Sequence, residues 1–255
     1  MGKYEGKVVI ITGAGKSGGI GFGIATAFAK EGANLVVTGR RPQPLADAKE
    51  ELERLYGVKV LPISADGGKE EDAKRVVAEA VKAYGRIDVL INNAQNSASG
   101  VMLKDHTVQD FDRAIYSGLY ATFLLMRECY PYLKETKGSV INFASGAGLF
   151  GKPGQSSYAA AKEGIRGLSR VAATEWGPDG INVNIICPLV MTDQLKAWKE
   201  AYPDTYAATI KGIPAGRMGD PELDIGRTCV FLASEDAKYI SGETITMQGG
   251  SGLRP

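Results

Sequence analysis

The sequence predicts an α/β fold: a single doubly wound domain with a seven-stranded parallel sheet and helices on both faces. Three observations carry this. Short runs of Val and Ile, such as VVII (8–11) and VINF (140–143), are largely apolar, as strands covered on both faces must be. Between successive runs lie stretches long enough for a helix, with apolar positions at helical spacing, the alternation that builds a parallel sheet. After the first run comes TGAGKSGGIGFG, so that a strand, a glycine-rich turn and a helix follow one another. Glycines in such a turn let the backbone approach a pyrophosphate that rests on the helix N-terminus.

The elements follow in order. Residues 7–12 form the first strand, and the helix after the glycines is closed by Gly32. A strand at 34–38, a helix at 44–56, a strand at 58–63, a helix at 70–84 and a strand at 88–91 continue the alternation. One long helix, with a rich apolar stripe, is expected over 108–133. The strand at 140–144 runs into Ser145, a glycine-rich loop follows, and Ser156 or Ser157 is the expected N-cap of the next helix. A strand at 181–187 precedes an aromatic-rich insertion over about 189–216, where Trp198, Tyr202 and Tyr206 either line a pocket or staple two short helices. Loops at strand ends serve as lids and specificity pockets. A helix at 221–233 and a strand at 244–247 complete the sheet, and no linker divides residues 1–255.

Composition excludes several classes of function. The formal charge is +1 with the basic residues scattered, which leaves no footprint for nucleic acid or an acidic surface. No apolar run is long enough to span a membrane and the N-terminus lacks a secretory signal, so a cytoplasmic protein is expected. Cys129, Cys187 and Cys229 are far apart and read as small buried apolar residues. His106 is the only histidine, so neither a metal site nor a Ser-His-Asp triad is expected. It reads as a surface residue before a helix.

The chemistry concentrates in residues 139–168. Tyr158 and Lys162 stand four apart, one helical turn along the same face. An ammonium group there favours ionisation of a phenol whose ordinary pKa is about 10. Ser145, at a strand end, can hydrogen-bond the same substrate oxygen. A lone Tyr-x3-Lys is usually a solvated helix face, and the pair gains weight from its company. Ser-x12-Tyr-x3-Lys, with the glycine-rich turn and NNAQ (92–95), resembles the short-chain dehydrogenases/reductases from end to end.

That resemblance implies a Rossmann-type fold and an enzyme. Ser145, Tyr158 and Lys162 are its catalytic residues. Gly13, Lys16, Ser17, Gly19, Ile20, Gly21, Arg40, Asp66, Asn93, Ala94, Tyr158, Lys162, Pro188 and Thr192 contact the cofactor. The turn is two residues longer than the family's usual T-G-x3-G-x-G. In this it resembles the enoyl-thioester reductases, which space Tyr and Lys seven apart; here Gln155 stands seven before Lys162. Gly39 occupies the family's acidic position after the second strand and Arg40 follows, with Lys16 adding charge, which selects NADP over NAD. Paired long helices imply a homodimer or homotetramer.

Two departures stand out: Gln95 replaces a glycine, and Gly118 replaces the asparagine of the family's proton relay. Space for a water on the helix carbonyl near Gly118, helped by Ser117, is the expected compensation, with a plain close helix contact as the alternative. INNAQNSASG, IYSGLYATFLLMRECYPYLKET and SYAAAKEGIRGLSRVAATEWG resemble the 12α-hydroxysteroid dehydrogenases of bile-acid-transforming gut bacteria. This implies oxidation of a bile-acid 12α-hydroxyl, with Gln95, Leu149, Leu189, Met191 and Trp198 in the substrate pocket. The alternatives are reduction of a 3-oxoacyl thioester or polyol-type ketone, or a non-catalytic NADP-binding regulator.

Overall fold

The computed structural model describes residues 2–16 and 18–252. Its centre is one sheet of seven strands: β1 (Val8–Thr12), β2 (Asn34–Gly39), β3 (Val60–Ser64), β4 (Val89–Asn92), β5 (Ser139–Phe143), β6 (Asn182–Pro188) and β7 (Thr244–Met247). The order is β3-β2-β1-β4-β5-β6-β7, with every neighbouring pair parallel. The chain runs outward from β1 to β3, then crosses back to β4 on the other side of β1. The connections leaving β1 and β4 therefore diverge, which opens a crevice beyond their C-terminal ends.

The helices are α1 (Ile20–Lys30), α2 (Pro42–Tyr56), α3 (Glu70–Tyr84), α4 (Val108–Ala114), α5 (Ala121–Thr136), the short α6 (Gly146–Leu149), α7 (Ser156–Trp176), α8 (Asp193–Ala201), α9 (Pro203–Lys211) and α10 (Arg227–Leu232). Alternate strand residues point to opposite faces, so β1 serves two cores. Val9 and Ile11 pack with Ile24, Phe28, Leu45 and Leu232 on one face, while Val8 and Ile10 pack with Val76, Leu125, Leu133 and Ala172 on the other. Each such side chain contributes about 1.5–3 kcal/mol when fully buried. Asp88 joins the sheet from below by accepting the Val8 N–H at 2.8 Å and two Arg86 N–H groups.

Two helices expected to be continuous are interrupted. Residues 108–136 comprise α4, a π-helical turn at Ile115–Tyr120 and α5. Residues 221–232 begin with a second π-helical turn, Pro221–Gly226, before α10. Both turns contain a glycine in close contact with another element. A Cβ on Gly226 would stand 2.7 Å from the Cβ of Ala27 on α1. Periodicity reports the apolar face of such a segment, whereas a single widened turn leaves it nearly unchanged. Among the described residues no helix is long and apolar enough to cross a membrane.

Candidate active site

Thr12, at the end of β1, organises the crevice. Its hydroxyl oxygen accepts the N–H groups of Asn93 and Ala94, each at 2.9 Å. Asn93 in turn donates through Nδ2 to the Thr12 carbonyl at 2.9 Å. These bonds hold the backbone after β4 against the glycine-rich turn. Gly21 is pressed onto the start of that turn so closely that a Cβ would overlap the Gly13 carbonyl oxygen. Thr12 is missing from the expected contacts, although it is the first letter of the T-G-x3-G-x-G turn and that letter was the signal for it.

A groove of about 800 Å³ results, lined by Gly13, Gly19, Ile20, Arg40, Asp66, Asn93, Ala94, Gln95 and Thr192 among the expected residues. Gly19 caps α1 without a side-chain bond to its first turn, which leaves N–H groups for an anion. Arg40 and Arg41 line the far end beside Gly39, and Asp66 follows β3. These features fit a nicotinamide dinucleotide: a glycine-only approach, a helix N-terminus at mid-groove, and guanidinium groups without a carboxylate at the end of β2.

Other expected contacts lie elsewhere. Lys16 is turned away, its ammonium paired with Glu51 of α2 and its N–H bonded to the Pro44 carbonyl at 2.8 Å. Lys16 thus meets Glu51 and does not line the groove in this structure. Gly21 is buried under the turn, Pro188 ends β6 outside the lining, and Ser17 lies outside the described residues.

A second pocket of about 590 Å³ opens beside the groove, lined by Ser145, Tyr158, Gln155, Lys152, Ala147, Ile20, Gln95 and polar residues of 96–99. Ser145 caps α6 by accepting the Ala147 N–H at 3.1 Å and lies beside Tyr158, close enough for its hydroxyl to favour the ionised phenol. Burial pushes the Tyr158 phenol above its ordinary range, and the Ser145 bond opposes that shift. Lys162 is buried behind Tyr158, with Nζ 5.6 Å from the ring centroid and donating to the Phe143 carbonyl at 2.7 Å. Desolvation lowers its pKa from 10.5 to about 8. The expected net lowering of the tyrosine pKa is thus overtaken by burial, because the ammonium is held on a backbone carbonyl and not on the phenol oxygen.

Two smaller expectations change. The cap of α7 is Gln155, with no side-chain cap bond, in place of Ser156 or Ser157. Both serines instead meet His106, whose Nε2 lies 2.8 Å from Ser157 Oγ and whose Nδ1 lies 3.3 Å from Ser156 Oγ. The histidine is half-buried and steadies the first turn of the tyrosine helix. No pattern in KDHT foretells a contact across so many residues.

Of the expected substrate residues, Gln95 alone lines either cavity. Leu149 packs on Ala144, Ile185 and Cys187, and Trp198 meets Tyr206 edge-on at 6.3 Å, stapling α8 to α9. Leu189 and Met191 are tied through their backbones to Gly219, at 2.9 Å each. These ties set the insertion beside the strand ends and not inside the pocket. The expected open space at Gly118 is also corrected. A Cβ there would overlap Gln95 Oε1, and the Ser117 hydroxyl accepts the Asn96 N–H while its own hydrogen is directed at the Arg113 and Asn96 carbonyls.

Comparison with known proteins agrees with this geometry. A family model described as enoyl-(acyl carrier protein) reductase matches residues 13–251. The chain is 66% identical over its whole length, and that of the relative, to a 12α-hydroxysteroid dehydrogenase of Clostridium sp.. It is 35% identical to a 3-oxoacyl-[acyl-carrier-protein] reductase of Staphylococcus epidermidis over 96% of this chain and 98% of the relative. The crystal structure of levodione reductase superposes with a TM-score of 0.89 at 30% identity, covering 97% of this chain and 98% of that one.

Proposed function

Because this chain belongs to the short-chain dehydrogenase/reductase family, oxidoreductases that work with a nicotinamide cofactor, we propose that it interconverts the 12α-hydroxyl of bile acids and the 12-ketone with NADP(H). The reaction class rests on Ser145 and Tyr158 lining one pocket in front of the buried Lys162. The substrate rests on full-length similarity to the 12α-hydroxysteroid dehydrogenase.

A nicotinamide dinucleotide held in the groove by Gly13, Gly19, Arg40, Asn93 and Thr192 would supply the hydride chemistry, uptake from the alcohol carbon or return to the ketone. The protein handles the proton. Ser145 Oγ holds the substrate oxygen, and Tyr158 Oη takes the hydroxyl proton during oxidation and gives it back during reduction. The Lys162 ammonium, 5.6 Å from the Tyr158 ring centroid, opposes without cancelling the rise that burial imposes on the phenol, and so makes the phenolate that oxidation requires less costly. Groove and pocket meet at Gln95, so the hydride partner at the carbon and the proton partner at the oxygen can meet one C–O bond. Residues 189–216 act as the lid in this reading.

Absorbance of NADPH tests the substrate, with cholate, bile acids oxidisable only at the 3- or 7-hydroxyl, a 3-oxoacyl thioester and a polyol supplied in parallel. We expect turnover of the 12α-hydroxyl and little of the others; preference for the thioester or polyol would overturn the assignment. Cofactor choice is assigned to Arg40. A charge-assisted hydrogen bond is worth about 1.5–3 kcal/mol, so Arg40→Ala should weaken NADP binding about ten- to a hundredfold and leave NAD nearly unchanged. Equal losses in a fluorescence titration of both dinucleotides would refute that role.

The assembly we infer is a cytoplasmic homodimer or homotetramer. Phe111, Tyr116, Tyr120, Phe123 and Val171 are exposed apolar side chains on α4, the turn, α5 and α7, and covering them by a second subunit would take them out of water.

A further inference from the structure

We propose that Gln95 and Gly118 form one functional unit, in which the missing side chain at 118 lets the Gln95 carboxamide enter the wall of the site and offer its oxygen to an O–H donor of the reacting complex. Only Ile20, Gln95 and Asn96 line both the groove and the pocket that holds Ser145 and Tyr158. Gln95 therefore stands where the two cavities join.

The space it fills belongs to residue 118. A Cβ on Gly118 would overlap Oε1 and stand 2.7 Å from Cδ and 2.8 Å from Nε2. The amide is anchored at one end only: Nε2 donates to the Ala114 carbonyl at 3.1 Å, at the head of the π-helical turn. That bond fixes the orientation, because the reversed amide would set two carbonyl oxygens against each other. Oε1 is buried and meets no donor among the described residues. A buried acceptor without a partner is costly and rare, and π-helical turns recur at functional sites. The oxygen is held for a donor that arrives with the reactants: a ribose hydroxyl of the dinucleotide, a hydroxyl of the substrate, or a water carried between them. The proposal rests on the reading that this site oxidises alcohols with a dinucleotide.

Three variants test it: Gln95→Leu, Gly118→Ala and the pair. The overlap at 118 involves the tip of a flexible side chain, so Gly118→Ala should fold with the amide expelled. Each single variant is expected to lose about tenfold or more in kcat, and the pair to fall within about twofold of the worse single, because both changes remove the same contact. The quantity that moves with kcat identifies the donor: the dissociation constant of NADPH for the ribose, KM of the alcohol for the substrate, or the pH profile of kcat alone for a water. A Gly118→Ala enzyme with parental kcat, or losses that multiply, would overturn the unit.

If Gly118→Ala does not fold, Gln95→Ala with Gly118→Ala should fold and match Gln95→Ala in activity; failure of that pair also refutes the proposal. A parent inactive on bile acids would sink the steroid reading alone, since the variants can be compared on any secondary alcohol that the parent oxidises.

Discussion

Tyr158→Phe is expected to abolish turnover while leaving the dinucleotide bound. General acid–base catalysis by a positioned side chain contributes about 10²–10⁴-fold, and this substitution deletes only the group that carries the proton. The phenyl ring can keep its place, because Tyr158 is half-buried in the first turn of α7 and its polar partner is Ser145. Steady-state kcat and a fluorescence titration with NADPH separate the two effects. A variant that kept more than about a tenth of the parental kcat would show that another group moves the proton. Loss of dinucleotide affinity along with kcat would mean that the phenol is a binding group first.

Lys162→Met should also remove turnover, yet it is expected to raise the thermal midpoint of the protein without dinucleotide at pH 7. Lys162 is 3% exposed and its pKa falls from 10.5 to about 8 on burial. The charged form is thus disfavoured in the fold: the unfolded chain binds the proton more tightly, and stability rises with pH between the two values. Below about pH 8 the fold carries the full cost, on the order of 3 kcal/mol; the cost fades as the pH approaches 10.5. Methionine fills much of the same volume without charge, but leaves the Phe143 carbonyl unpaired, which offsets about 1–3 kcal/mol. A net gain of a few degrees is expected at pH 7, shrinking or reversing near pH 10.5. Melting curves of parent and variant at both pH values check this, and a midpoint difference independent of pH would refute the burial cost. The site thus retains a destabilising charge next to its acid/base, as functional sites often do.

The sheet was legible because runs such as VVII and VINF are apolar on both faces, and burial on both faces is what an interior parallel strand requires. Strand ends moved by only one or two residues, since a strand's boundaries depend on where its neighbours stop. Ser145 at a strand end, and Tyr158 and Lys162 one turn apart on one helix, were legible as placements because both are local geometry; their reading as a catalytic set came from the family resemblance. The groove was legible for the same reason, in a strand, a glycine-rich turn and a helix written consecutively.

What lay beyond the sequence depends on contacts between distant segments. Nothing near Lys16 says that Glu51 will capture it, nothing in KDHT says that His106 will meet two serines on α7, and Trp198 found Tyr206 because two short helices fold against each other. Gln95 and Gly118 read as two separate departures from a motif. They become one feature when β4 and the π-helical turn bring the carboxamide into the volume that the glycine leaves. Spacing along a chain encodes which way a side chain points from its own element. Which side chain fills a given space is set by how elements pack, and there each position depends on residues far from it in sequence.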